Sequence, residues 1–203
     1  MDEEIINKEV AQKLMEIKGQ IRGVSLTGDA DFILKKENKE GLKKVESKLK
    51  ELGFLIEYDK IKTLNFYPGG LKALSLLAIK DVFGYSDKEI EEIGRMSSKL
   101  SLIIRLFIKY FSSPSNFFFK EAPKIWKKYW TVGEFIPIEF NEKEKFAIVR
   151  VEGLNLHPIY CVFLRGFFPA LTQLILGNES ITCQETKCCF KGDNFHEFLL
   201  KWN

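Results

Sequence analysis

The spacing of apolar residues changes at Gly133, and this change constrains the fold more than any other feature of the sequence. Before Gly133, apolar residues recur three or four positions apart, which is typical of helices. After it, residues 135–140 and 145–151 are β-branched and aromatic with partial alternation, which predicts two strands of a hairpin. The chain is therefore predicted to be α+β, with a helical first part packed on a small antiparallel sheet.

The predicted elements divide the chain into two parts of a single domain, residues 1–203. The first part, residues 1–132, is mainly helical. The second part, residues 133–203, has the order hairpin, helix, hairpin. Helices are expected at 6–18, 40–52, 71–82, 86–111, 117–130 and 158–176, a short strand at 24–26, and a second hairpin at 180–185 and 195–202.

Charge and hydropathy exclude several classes of protein. The net charge is +3, from 31 basic and 28 acidic residues, so no electrostatic footprint for nucleic acid is present. The acidic start, residues 1–4, does not resemble a secretory signal. Residues 153–178 carry one formal charge, Arg165, but also Pro158 and Pro169, so we expect a buried core element rather than a membrane span. The expected location is the cytoplasm.

Four residues near the end of the chain have the types and spacing of a metal site. Glu185, Cys188 and His196 form Glu-x2-Cys-x7-His across the second hairpin, and a helix starting near Cys161 could add a second thiolate. Zinc accepts this set in tetrahedral geometry, and four protein ligands would make the ion structural. From spacing alone, Cys183 could replace Cys161, and simple burial of the cysteines is equally compatible.

These residues also carry a family resemblance. Three short motifs together resemble the 4-vinyl reductase domain family over about the last 70 residues. They are Tyr160-Cys161 followed by Gly166, Leu174-x-Leu176-Gly177, and Glu185-x2-Cys188-x3-Gly192-x3-His196-x-Phe198. That family is similar to the sensor domain of aromatic-responsive bacterial transcription activators. It is distantly similar to the fold shared by haem-nitric-oxide domains and TRAPP tethering subunits. The resemblance implies zinc ligands at Cys161, Glu185, Cys188 and His196, with His196 in place of the usual cysteine.

A cluster of aromatic residues is the candidate ligand pocket. Core packing explains any single member equally well, but the resemblance implies a cavity for a small aromatic or hydrophobic molecule between the helices and the sheet. The candidate lining residues are Phe107, Phe111, Trp126, Tyr129 and Trp130.

The predicted function is a small-molecule-binding sensory or regulatory protein with a structural zinc, a hydrophobic or aromatic ligand and no catalysis. Its expected partners are a second protein and a second copy of the chain, because the resembled family commonly dimerises through its helical part; the stripe Val10, Leu14 and Ile17 is a candidate surface. No nucleic acid or membrane is expected. Two alternatives stay open: an accessory protein of the tetrapyrrole or pigment reductase type, and a TRAPP-like interaction scaffold. A closed apolar cavity of about 300 Å³ or more would favour sensing over the scaffold.

Overall fold

A computed structural model describes residues 6–99, 113–177 and 180–203. The part of the predicted helix 86–111 beyond residue 99 lies outside the described residues. In chain order the elements are α1 (Lys8–Glu16), β1 (Gln20–Arg22), α2 (Val24–Glu51), a 3-10 turn (Tyr58–Lys60), β2 (Phe66–Pro68), α3 (Gly70–Phe83), α4 (Asp87–Lys99), a helical turn (Pro114–Asn116), a π-helical turn (Phe117–Glu121), α5 (Ala122–Tyr129), β3 (Glu134–Asn141), β4 (Phe146–Glu152), α6 (Pro158–Leu176), β5 (Ile181–Lys187), a 3-10 turn (Cys189–Lys191) and β6 (His196–Trp202).

The helical part is built around α3, whose residues from Gly70 to Ile79 are all buried. Helix α1 packs against α3 and turns its apolar stripe inwards: Leu14 is buried, and Val10 and Ile17 pack against the core. That stripe is therefore part of the core rather than a free dimer surface. Helix α2 also packs against α3 and is kinked at Asn38, where φ is 61°.

The strand predicted at residues 24–26 is wrong, because these residues begin α2. The strand in this region is β1, which pairs antiparallel with β2. The residues that follow, Thr27-Gly28-Asp29, are of types common in turns, yet Asp29 lies inside the helix, fully buried against Lys72 of α3. A tertiary ion pair thus overrides the weak helix propensity of this segment.

The second part of the chain forms a four-stranded antiparallel sheet in the order β3-β4-β6-β5. Strands β3 and β4 form one hairpin, β5 and β6 form the other, and the two hairpins join through β4 and β6. Alternate residues of β4 and β6, such as Val149 and Phe198, point into the core, which explains the partial alternation in the sequence. The predicted helical part packed on a sheet of two hairpins is confirmed.

Helix α6 runs through the core between the sheet and α4. It makes its closest approach to α4 through two glycines: a Cβ on Gly166 would lie 1.8 Å from the Glu91 carbonyl oxygen, and one on Gly94 would lie 2.1 Å from that of Phe163. In length and composition α6 could cross a membrane, but 67% of its most apolar window is buried inside the protein. It therefore has the environment of a core helix.

Candidate metal centre

Four side chains from three elements and one turn meet at the start of α6. Cys161 is in the first turn of α6, Glu185 is on β5, Cys188 follows β5, and His196 opens β6. One ligand atom from each lies within 4.8 Å of all the others. The Cys161 Sγ is 3.5 Å from His196 Nδ1 and 4.0 Å from Cys188 Sγ, and His196 Nδ1 is 3.3 Å from Glu185 Oε1.

The surrounding backbone orients these donors. His196 Nε2 lies 2.9 Å from the Leu154 carbonyl oxygen, so this nitrogen donates its proton there and Nδ1 faces the cluster. The Cys188 amide donates to Asp193 Oδ2 at 2.8 Å, which closes the turn behind this cysteine. Gly192 in that turn has a φ of 99°, a conformation that glycine adopts without strain. The backbone at Cys188 and the ring of His196 are thus held in place.

The electrostatics of the cluster favour a cation. Burial raises the pKa of the Cys161 thiol, and the carboxylate of Glu185 raises it further. Burial opposes ionisation of Glu185 as well, but hydrogen bonds with His196, Cys188 and Cys161 lower the pKa of this carboxyl overall. A positive ion would stabilise both thiolates and the carboxylate together. Two sulfurs, one imidazole nitrogen and one carboxylate oxygen are a donor set for a tetrahedral transition metal.

The other two cysteines lie outside this cluster. Cys183 packs against the core, with Arg165, Glu91 and Arg95 as its charged neighbours. Burial raises the pKa of its thiol to about 12. Cys189 is partly exposed in the turn after Cys188. Of the two candidates that spacing left open, the structure brings Cys161 and not Cys183 to the cluster.

The predicted pocket residues that the structure describes are packed side chains. Trp126 and Trp130 stack with ring centroids 4.7 Å apart, and Trp130 Nε1 donates to Tyr160 Oη at 2.8 Å. Two small cavities adjoin them, one of about 20 Å³ lined by both tryptophans, the other of about 30 Å³ lined by Tyr129 and Trp130. Phe107 and Phe111 lie outside the described residues.

Sequence reasoning missed a buried polar network in the helical part. Lys72 Nζ donates to Asp29 Oδ1 and, at 2.9 Å, to the Ser25 carbonyl oxygen. Asp29 Oδ2 accepts from Ser75 Oγ at 2.8 Å, and that hydroxyl lies 2.6 Å from Tyr58 Oη. The one signal in the sequence was a lysine inside the apolar run of α3.

The fold resembles that of solved H-NOX proteins. One, from S. oneidensis in the Fe(II)NO ligation state, superposes with a TM-score of 0.66 at 9% identity, covering 90% of this chain and 99% of that one. Another, an oxygen-binding H-NOX domain related to soluble guanylate cyclases, gives 0.62 at 13% identity, with 90% and 95% covered. A mutant H-NOX protein from K. algicida, in the Fe(II) unliganded state, gives 0.63 at 13% identity, with 90% and 97% covered. The haem-nitric-oxide-type fold expected from the resemblance is thus confirmed.

No family model matches the chain, and no curated protein matches it. The closer relationship to the 4-vinyl reductase domain family is therefore not shown by these comparisons.

The prediction of zinc as the cofactor is wrong. Solved proteins with this fold are described by iron, as Fe(II) with or without nitric oxide, and one of them by porphyrin distortion that modulates haem redox potential. These findings contradict zinc, and the motif spacing that suggested it specified donor atoms rather than an ion.

The described residues do not fit haem either. His157 accepts a hydrogen bond from the Ile159 amide at the start of α6, and His196 belongs to the cluster. The cavities of about 20 and 30 Å³ among the described aromatic residues are far below the several hundred Å³ of typical ligand sites.

Proposed function

We propose that this chain is a sensory or regulatory domain that binds a small molecule and carries a closed metal centre at Cys161, Glu185, Cys188 and His196. The observation that carries the metal centre is the convergence of four potential ligand atoms, all within 4.8 Å of one another. The fold supports sensing, because solved proteins that share it are described with nitric oxide or oxygen bound. The cation we propose is a transition metal, as the two sulfurs and the imidazole favour.

The metal centre has a structural role in this proposal. The ion would join the first turn of α6, through Cys161, to the hairpin that carries Glu185, Cys188 and His196. All four coordination positions are filled by protein, so no position is left for a substrate. The free energy of metal binding then contributes to folding, and the centre holds α6 in place against the sheet. We accordingly propose no catalytic activity.

The ligand we propose is hydrophobic or aromatic and binds beside Trp126 and Trp130. Both cavities at this position are lined by Trp130 and Phe167, whose rings lie edge to face with their centroids 5.6 Å apart. A benzene-sized molecule needs a cavity of about 150 Å³, so these two rings must move apart when such a ligand enters. Binding would therefore shift the position of α6, which carries Phe167, and change a contact with a protein partner.

Elemental mass spectrometry of the purified protein tests the metal centre, because it gives the number of metal ions per chain. We expect about one transition-metal ion per chain, strong loss in Cys188→Ser and no loss in Cys189→Ser, its matched control. His196→Cys should keep the metal, since thiolate can replace imidazole. Equal metal content in wild type and Cys188→Ser would reject the site.

The ligand site is tested by titrating phenol and haemin separately while tryptophan fluorescence and the haem absorption band are recorded. We expect phenol to change the tryptophan emission of wild type, and haemin to give no ligated haem band. A ligated haem band would instead make the chain a haem-based sensor, as the likeness to H-NOX proteins favours. No response to either molecule would reject the small-molecule site.

The second candidate function is a protein-interaction scaffold, and the small cavities favour it. The two cavities, of about 20 and 30 Å³, are far smaller than the roughly 300 Å³ expected of a ligand-binding domain, so the core is essentially filled. For the sensory function, as for the TRAPP-like scaffold, we propose a single domain that forms a homodimer in the cytoplasm; the resemblance to the 4-vinyl reductase domain family supports the dimer. Sedimentation equilibrium tests the dimer, and a monomer at all concentrations would exclude it.

A further inference from the structure

We propose that the Ser25 hydroxyl is the hydrogen-bond donor of the small-molecule site, and that the ligand it selects is an aromatic compound with an uncharged carbonyl group. This inference rests on the proposed small-molecule function and names the class of ligand. It also gives the ligand an orientation, with its carbonyl oxygen at Ser25 and its ring beside Trp126.

The Ser25 hydroxyl is a buried group without a partner. Ser25 is 7% exposed, and its Oγ is the one buried side-chain nitrogen or oxygen atom of the described residues that makes no hydrogen bond. An unsatisfied buried hydroxyl destabilises a fold, and native proteins contain few of them. A hydrogen bond to a ligand gives this group the partner that the protein itself does not provide.

Ser25 also lies where a hydrogen-bond acceptor is favoured. It is the second residue of α2, a helix whose cap residue, Gly23, has no side chain to accept a hydrogen bond and whose first turn has no acidic residue. The Ser25 amide makes no backbone hydrogen bond within the described residues. Because the N-terminal end of a helix carries a partial positive charge, this position attracts an acceptor rather than a donor.

The charges around Ser25 favour an acceptor that is neutral. Lys72 Nζ donates to the Ser25 carbonyl oxygen at 2.9 Å, but the same ammonium is paired with the carboxylate of Asp29, and both side chains are 0% exposed. A carboxylate ligand would bring a second negative charge into a region where the first already neutralises the lysine. A carbonyl oxygen accepts the same hydrogen bond without the desolvation cost of a charge.

The two cavities differ in what they offer to a ligand. Ser25 lines the cavity of about 30 Å³. The cavity of about 20 Å³ has only apolar and aromatic lining, and the indole N–H groups of Trp126 and Trp130 already donate to the Gly133 carbonyl and the Tyr160 hydroxyl. Trp130 lines both cavities, so a shift of its ring would join them into one site that is apolar at one end and has the Ser25 hydroxyl at the other.

Isothermal titration calorimetry of the full-length protein with acetophenone, ethylbenzene and benzoate tests the proposal. Acetophenone and ethylbenzene have nearly the same shape, but only acetophenone carries an acceptor. One hydrogen bond changes affinity by about fivefold to tenfold. We expect wild type to bind acetophenone more tightly than ethylbenzene by this factor, and more tightly than benzoate.

Ser25→Ala should bring the affinities for acetophenone and ethylbenzene together. Ser97→Ala is the matched control and should lose much less affinity for acetophenone, because Ser97 lines the same cavity but its hydroxyl already donates to the Ile93 carbonyl oxygen at 2.9 Å. The infrared C=O stretch of bound acetophenone should lie at lower wavenumber in wild type than in Ser25→Ala, since a hydrogen bond weakens the carbonyl bond. Ser25→Ala should melt no lower than wild type, because it breaks no hydrogen bond within the protein.

The outcomes separate this inference from the proposed function. Equal affinities for acetophenone and ethylbenzene in wild type, or an unchanged acetophenone affinity in Ser25→Ala, would overturn the role of Ser25 and leave the small-molecule site standing. Tighter binding of benzoate would overturn the uncharged acceptor. If none of the three compounds binds, the small-molecule site itself is rejected, and this inference with it.

Discussion

Replacing Lys72 by Met should destabilise the protein by about 3–5 kcal/mol, the usual effect of removing one partner of a buried ion pair. Lys72 and Asp29 have side chains that are 0% exposed. Without Lys72, Asp29 keeps one hydrogen bond, from Ser75, and no counter-charge. The Lys72 ammonium also lies 4.4 Å from the centre of the Phe163 ring, a cation–π contact that is lost as well. Domains have a total stability of about 5–15 kcal/mol, so this loss is a large fraction of it.

Two further variants separate charge from packing. Lys80→Met on the same helix removes a partly exposed pair with Asp87, where the side chains are 24% and 53% exposed, and should cost less than about 1 kcal/mol. The double variant Asp29→Leu with Lys72→Met removes both charges and should recover most of the loss. Urea denaturation followed by tryptophan fluorescence gives all three free energies of unfolding.

The same series has a defined pH dependence. Burial raises the pKa of Asp29, and Lys72 and Ser75 oppose the rise. In Lys72→Met the opposition from the lysine is gone, so the folded pKa rises further above the unfolded value of about 4. Such an acid stabilises the fold below the unfolded pKa and loses this contribution as pH rises through the folded one. The penalty should therefore be smaller at pH of about 5 than at pH of about 7. A penalty below about 1 kcal/mol at neutral pH, or a double variant no more stable than Lys72→Met, would refute the reasoning.

Three other predictions address α6 and its neighbours. Gly166→Ala should destabilise the fold by at least about 1–3 kcal/mol, since its Cβ would lie 1.8 Å from the Glu91 carbonyl oxygen; a normal melting temperature would contradict the close packing. Trp130→Phe should cost about 1–3 kcal/mol by leaving the buried Tyr160 hydroxyl without its donor, and chemical denaturation measures this. Burial lowers the pKa of His157, whose neutral Nδ1 caps α6. The cap contributes about 1 kcal/mol to stability. This contribution should be complete above pH of about 6.5 and be lost as pH falls through the lowered pKa of His157. His157→Asn should abolish this pH dependence of stability, and the same pH profile in this variant as in wild type would argue against the cap.

The sequence predicted helices and strands best where the spacing of apolar residues and the residues that mark the ends of an element agreed. The helix at 158–176 was predicted with the bounds that the structure shows, because Pro158 and Gly177 mark its ends. The strands of the second hairpin were placed within two residues. The helix predicted at 40–52 is the part of α2 beyond the kink at Asn38. The part before the kink, from Val24, was not predicted, because burial of Asp29 compensates for the turn-like residues there. Local propensity carries no information about such a distant partner.

The candidate site was predictable in its donor atoms but not in its surroundings. The spacing of Glu185, Cys188 and His196 places all three on one hairpin, and the antiparallel pairing of β5 with β6 brings them close together. The choice of Cys161 over Cys183 depends on where α6 docks, which spacing alone leaves open. The space around Trp126 and Trp130 depends on how rings interlock in three dimensions, and no pattern in the sequence encodes its volume.

The strand order has a consequence for how the sheet can assemble. β6 is the last strand in sequence but an inner strand in space, bonded to β4 on one side and β5 on the other. The first hairpin has no inner neighbour until residues 196–202 are in place, and the same segment delivers His196. Synthesis of these few residues thus completes both the hydrogen-bonded ladder and the ligand set, so a nascent chain stalled before them would lack the centre of the sheet and one of the four ligands.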